Sequence, residues 1–164
     1  MSTLADAAAR ADALAGEGKE RELADWRRQW EDEVEGAARS ADYRQRAVAY
    51  RAVGQFRFRQ KIELLKRGLD DESPACRGSA LISLELLSRD SPGAVNSARS
   101  ALHRLASADD NQAVRRLAIV CLRNGSPHRD TIALLQGLGD DDRLERELRD
   151  AATKVATALR RRSR

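Results

Sequence analysis

Residues 105–122 read LASADDNQAVRRLAIVCL. An apolar stretch closing on Leu105 runs into the polar step Asp109-Asp110-Asn111, and a second amphipathic run follows from Val114 to Leu122. In the second run Val114, Ala118, Cys121 and Leu122 recur at the three- and four-residue spacing that puts side chains on one face of an α-helix. The stretch therefore predicts a helix, a short acidic turn and a second helix.

The same pattern recurs along the chain. An aspartate, an arginine, an alanine three residues later and a small or apolar residue four further appear as Asp42, Arg46, Ala49, Val53, and as Asp71, Arg77, Ala80, Leu84. They appear again as Asp110, Arg115, Ala118, Leu122, and as Asp142, Arg149, Ala152, Ala156. The arginines step by 31, 38 and 34 residues. Aligned on them, the preceding position holds Gln45, Cys76, Val114 and Leu148, and the sixth following position holds Ala52, Ser83, Cys121 and Val155. The tenth holds Phe56, Leu87, Gly125 and Leu159, completing one buried stripe per helix. An alanine three residues after every arginine predicts close helix–helix approach, where a larger side chain would clash.

Each of these helices follows another amphipathic stretch, marked by Trp26, Trp30 and Val34; by Ile62, Leu65 and Leu69; by Ala98, Leu102 and Leu105; and by Leu134, Leu135 and Leu138. Ser73-Pro74, Ser91-Pro92 and Ser126-Pro127 signal helix starts, and Gly54, Gly125 and Gly139 signal turns. The expected organisation is four helical pairs, at about 19–54, 55–90, 91–125 and 126–160. An apolar face of Leu4, Ala7, Ala8, Ala11 and Leu14 predicts a capping helix or tail at 1–18, and residues 161–164 form a disordered basic tail.

Composition sets the class. The 164 residues are 34% charged, 41% hydrophobic and 4% aromatic, with three prolines and ten glycines, which disfavours a β-sandwich or barrel. No run approaches the ~20 apolar residues of a transmembrane helix. With no secretory signal visible, and Cys76 and Cys121 suited to a reducing compartment, the expected location is cytoplasmic, away from membranes. The net charge of +4 conceals a balance of −4 over residues 1–40 and +4 over residues 41–60. Arginine outnumbers lysine 26 to 4, a bias that a GC-rich coding sequence produces without any phosphate-binding role.

A helical pair with aspartate in its turn, arginine early in the second helix and alanine after it resembles the HEAT repeat, and the Val114-Arg115 pair is similar to the bacterial HEAT-like variety. The resemblance covers roughly residues 20–160, with steps shorter than the ~40–47 residues usual for HEAT and armadillo units. It implies an all-α solenoid of about four antiparallel pairs. It also implies a polar ladder in which Arg46, Arg77, Arg115 and Arg149 bridge to Asp42, Asp71, Asp110 and Asp142 of neighbouring units, with the second helices lining the concave side. The outward positions one, five and eight after each arginine then offer Arg51, Glu85, Arg116, Arg123, Asp150 and Lys154 to a partner protein. The function expected is a non-catalytic adaptor or scaffold, without cofactor.

The competing expectation is a nucleic-acid-binding module. Between Tyr43 and Lys61, aromatic residues alternate with Arg44, Arg51, Arg57, Arg59 and Lys61, a mixture that suits stacking bases and a phosphate backbone. HEAT-like folds include alkylpurine DNA glycosylases, but that chemistry needs a catalytic carboxylate in an aromatic basic cleft, and Trp26 and Trp30 read as core. His103 and His128 stand alone, the cysteines fall in different columns, and Gly16-Glu17-Gly18-Lys19 lacks the remaining residues of a phosphate loop, so no metal site or enzyme motif is expected.

Overall fold

The computed structural model describes residues 2–164; among them are ten α-helices, a 3₁₀ turn and no strand. None of these helices is long and apolar enough to cross a membrane. The chain divides after Leu87 into two compact units.

The first unit opens with α1 (Leu4–Gly16), α2 (Glu20–Ala38) and α3 (Tyr43–Gln55), each of which packs on the other two. A reciprocal capping box starts α1: the Thr3 hydroxyl accepts from Asp6 N–H and the Asp6 carboxylate accepts from Thr3 N–H, both at 3.1 Å. Its buried face is Ala7, Ala8, Ala11 and Leu14, as the periodicity predicts. Trp26 and Trp30 are only half-buried, with Leu23 and Val34 supplying the buried face of α2. Trp26 instead anchors α1, its indole N–H donating to the Ala7 carbonyl at 2.9 Å while Arg10 lies over its ring.

The end of α3 carries an unusual stop. Arg57 adopts φ 59°, its N–H reaches the Gly54 carbonyl and the Phe58 N–H reaches the Val53 carbonyl. This is the two-bond helix terminator in which glycine normally takes the left-handed position. Here the arginine side chain compensates by donating to the Gly54 and Gln55 carbonyls and to Asp12 of α1. A 3₁₀ turn (Arg59–Lys61) leads into α4 (Ile62–Leu69) and then α5 (Pro74–Ser88). Gly68 of α4 sits where a Cβ would lie 2.8 Å from that of Ala80 on α5. The Ser83 hydroxyl, fully buried on α5, donates to the Tyr50 carbonyl at 2.6 Å and accepts from the Gly54 N–H at 3.0 Å.

The second unit holds α6 (Pro92–Ser97), α7 (Arg99–Ala108), α8 (Gln112–Leu122), α9 (Arg129–Asp140) and α10 (Arg146–Arg162). Here α7 packs on α8 and α9, and α10 packs on both α8 and α9. Pro74 and Pro92 start their helices as the Ser-Pro signals predict, but Pro127 does not. Instead α9 begins at Arg129, where the His128 ring caps the Asp130 N–H. The basic end is not a loose tail: α10 runs on to Arg162, whose guanidinium donates to the Arg123 and Gly125 carbonyls that close α8.

The arginine columns align in the structure. Arg46, Arg77, Arg115 and Arg149 are each the fourth residue of α3, α5, α8 and α10. Their alanines, Ala49, Ala80, Ala118 and Ala152, are all completely buried. The sixth and tenth positions are all buried, although the tenth, Phe56 and Gly125, falls just past the ends of α3 and α8; of the residues preceding the arginines only Gln45 is exposed.

Candidate functional site

Four aspartates hold the turns. Asp42, Asp71, Asp109 and Asp141 each accept the N–H two residues on, at 2.9, 2.9, 2.9 and 3.1 Å. In the pairs Asp109-Asp110 and Asp141-Asp142 the turn bond belongs to the first aspartate, and the Asp110 and Asp142 side chains are exposed. In an Asp-Asp dipeptide, periodicity alone does not say which carboxylate faces the chain.

Between them the arginines bond both to an aspartate across the turns and to nearby carbonyls. Arg46 makes a two-pronged pair with Asp71, Nε to Oδ2 at 2.9 Å and NH2 to Oδ1 at 3.0 Å, with side-chain exposures of 13% and 8%. Burial alone would raise the Asp71 pKa, but Arg46 and the Ser73 N–H hold it below the usual carboxylate range. Arg46 also donates to the Ser40 and Ala41 carbonyls, and Arg77 repeats this on the Asp71 and Glu72 carbonyls. Arg115, only 8% exposed, reaches the Ala106 and Ser107 carbonyls at the end of α7. Three of the four arginines thus tie the carbonyls just ahead of their own helix. In Arg149 a buried Nε has no partner.

The basic stretch 43–61 resolves into two groups. Lys61 is buried to 8% exposure and sits between Glu31 at 3.0 Å and Glu35 at 2.5 Å, above the Phe58 ring. Burial opposes its charge, yet the two carboxylates prevail and its pKa is raised. Arg57 is engaged with Asp12, and Arg59 donates to the Leu87 carbonyl. Arg44 and Arg51 differ. Arg44 is exposed and lies over the ring of Tyr43, which is itself 47% exposed. Arg51 is half-buried, and its NH1 is buried without a hydrogen-bond partner.

Both of these arginines line grooves on α3. One groove, of about 460 Å³, is bounded by Thr3, Leu4 and Ala5 of the α1 start, by Glu33 and Ala37 of α2, and by Arg44, Gln45 and Val48 of α3. The other, of about 350 Å³, lies among Ala5, Ala47, Val48, Arg51, Gln55 and Ser79. They share Ala5 and Val48, so they form neighbouring halves of one depression. Of the residues expected to meet a partner, the structure brings only Arg51 to this depression. Glu85 is half-buried on α5. In the second unit Arg116, Arg123, Asp150 and Lys154 are all exposed, with Arg116 paired to Glu147 at 3.0 Å and Asp150 loosely to Arg146. Sequence reading missed Leu4, Ala5, Gln45 and Val48. Gln45, a polar residue in an otherwise apolar column, was the only local sign.

Among the described residues no three His, Cys, Asp or Glu side chains gather at one point. Cys76 is buried against the Tyr43 carbonyl, where burial raises its pKa. No family model matches the chain, and no curated protein matches it either.

Proposed function

We propose that the chain is a non-catalytic HEAT-like helical-repeat module, a solenoid of about four helical pairs, that binds another protein through the outward faces of its second helices. The observation that carries this reading is the shared register of α3, α5, α8 and α10: arginine fourth, a completely buried alanine three residues on, and buried residues at the sixth and tenth positions. Such a register commits one face of each helix to packing and leaves Arg51, Arg116, Arg123, Asp150 and Lys154, at positions one, five or eight after an arginine, at the surface a partner can touch. Side chains carried on packed helices lose little freedom on binding, which favours recognition. Arg51, five residues after Arg46, lines the depression on α3.

A nucleic-acid-binding reading is supported by the exposed Tyr43 with Arg44 over it. It is weakened by the engagement of Arg57, Arg59 and Lys61 inside the protein. Affinity capture on the immobilised full chain tests the protein-binding reading. Partners retained by the parent should be lost on the Arg51→Glu, Arg116→Glu variant, and equal retention would refute it.

A further inference from the structure

Arg44, Val48, Arg51 and Gln55 follow one another at four-, three- and four-residue steps, so they form one stripe along α3. The two arginines leave the helix about 10 Å apart along its axis, from a rise of ~1.5 Å per residue. Between them the wall is apolar and small, from Val48 with Ala5 and Leu4 of α1. Several other basic side chains of this unit are matched: Arg46 with Asp71, Arg57 with Asp12, Lys61 with Glu31 and Glu35, and Arg27 with the Phe56 carbonyl. Among the described residues Arg44 and Arg51 have neither a carboxylate nor a carbonyl, and Arg51 carries the added cost of a buried N–H without an acceptor there.

We propose that this depression receives an acidic segment of a partner protein, with Arg44 and Arg51 each taking one of its carboxylates and Val48 and Ala5 taking a small apolar side chain between them. The proposal rests on the binding-module reading above and names the chemistry of the partner. A carboxylate supplies what the guanidinium groups lack, and pairing by Arg is forked and directional. Glu33, exposed at the α2 edge of the first groove, repels a further negative charge there. A uniformly charged phosphate backbone would meet that repulsion and would leave the apolar wall without a partner. A peptide with two spaced carboxylates meets neither problem, and glutamates seven residues apart on a helix match the ~10 Å spacing.

The probe is a blocked fluorescent peptide of Glu, Leu and Ala carrying two glutamates seven residues apart, titrated at low salt into the full-length ¹⁵N-labelled chain. It should shift the resonances of Leu4, Ala5, Val48 and Arg51, and the same peptide with Gln for Glu should not. The Arg44→Gln, Arg51→Gln variant should bind at least tenfold more weakly with unchanged circular dichroism, because neither guanidinium is hydrogen-bonded among the described residues. Ala5→Glu, which places a resident carboxylate in the depression at an exposed position, should abolish binding. Equal binding by the double variant overturns the proposal, as does tighter binding of a thymidine oligonucleotide at the same residues. Shifts confined to α8 or α10 also overturn it while leaving the protein-binding reading intact; that reading fails only if capture is insensitive to the face variant.

Discussion

At Gly54 and Ser83 two helices meet with no room for a side chain between them. A Cβ on Gly54 would lie 2.6 Å from the Ser83 hydroxyl and 2.9 Å from the Ser83 Cα, so the contact includes backbone that cannot step aside. Gly54→Ala should therefore lower stability by roughly 2–3 kcal/mol through overpacking, despite alanine's better helix propensity, as read from the urea midpoint. A second residue-scale prediction concerns protons. Arg99 donates to the buried Thr131 hydroxyl at 2.7 Å, and the same hydroxyl lies 2.8 Å from His103 Nε2. Burial, then Arg99 and His128, depress the His103 pKa below its ordinary 6.5, against a small opposing pull from Asp130. The unfolded chain thus binds this proton more readily than the folded one. The contribution is complete above pH 6.5 and is lost as pH falls through that value toward the lower folded one. Denaturant midpoints of the parent should fall between pH 7 and 5, and His103→Gln should flatten that slope; an unchanged slope refutes the assignment.

Helix ends and turns govern the element scale. The Trp26 N–H holds α1 by its Ala7 carbonyl, so Trp26→Phe should weaken the docking of α1 by about 1 kcal/mol and raise hydrogen exchange at Ala8, Ala11 and Leu14. The Arg46–Asp71 pair links the start of α3 to the turn before α5. Because Asp71 titrates below its ordinary 3.8, its contribution is complete above that pH and fades as acid reaches the lower folded value. Asp71→Asn should remove part of the acid-unfolding slope below about pH 4, measured by circular dichroism. These elements were unequally legible in the sequence. The columns of alanine, cysteine and leucine were visible because helical burial imposes its own period on the residues. Which carboxylate of Asp109-Asp110 and of Asp141-Asp142 makes the turn bond was not legible, since both members of a pair satisfy the same pattern. The depression on α3 was invisible, because it exists only where α1 comes to lie beside Val48, and nothing local to residues 1–18 specifies that neighbour.

Over the whole molecule, the regional charges found in the sequence are partly reconciled by folding. The acidic α1 and α2 supply Asp12, Glu31 and Glu35 to Arg57 and Lys61 of the basic stretch 43–61, leaving Arg44 and Arg51 as its cations without a carboxylate or carbonyl among the described residues. Binding to a thymidine oligonucleotide should accordingly show a log–log salt slope no steeper than about −1.4, the value for two neutralised phosphates on a single strand. A slope near −3.5, as five phosphate contacts would give, would restore the nucleic-acid reading. The buried Ser83 hydroxyl has a mechanical consequence. It must meet the Tyr50 carbonyl and the Gly54 N–H together, and no neighbouring rung of α3 offers both that pair and a missing Cβ. Sliding between α3 and α5 is therefore forbidden in small increments: under load the two helices hold their phase like a seated key and part in a single event.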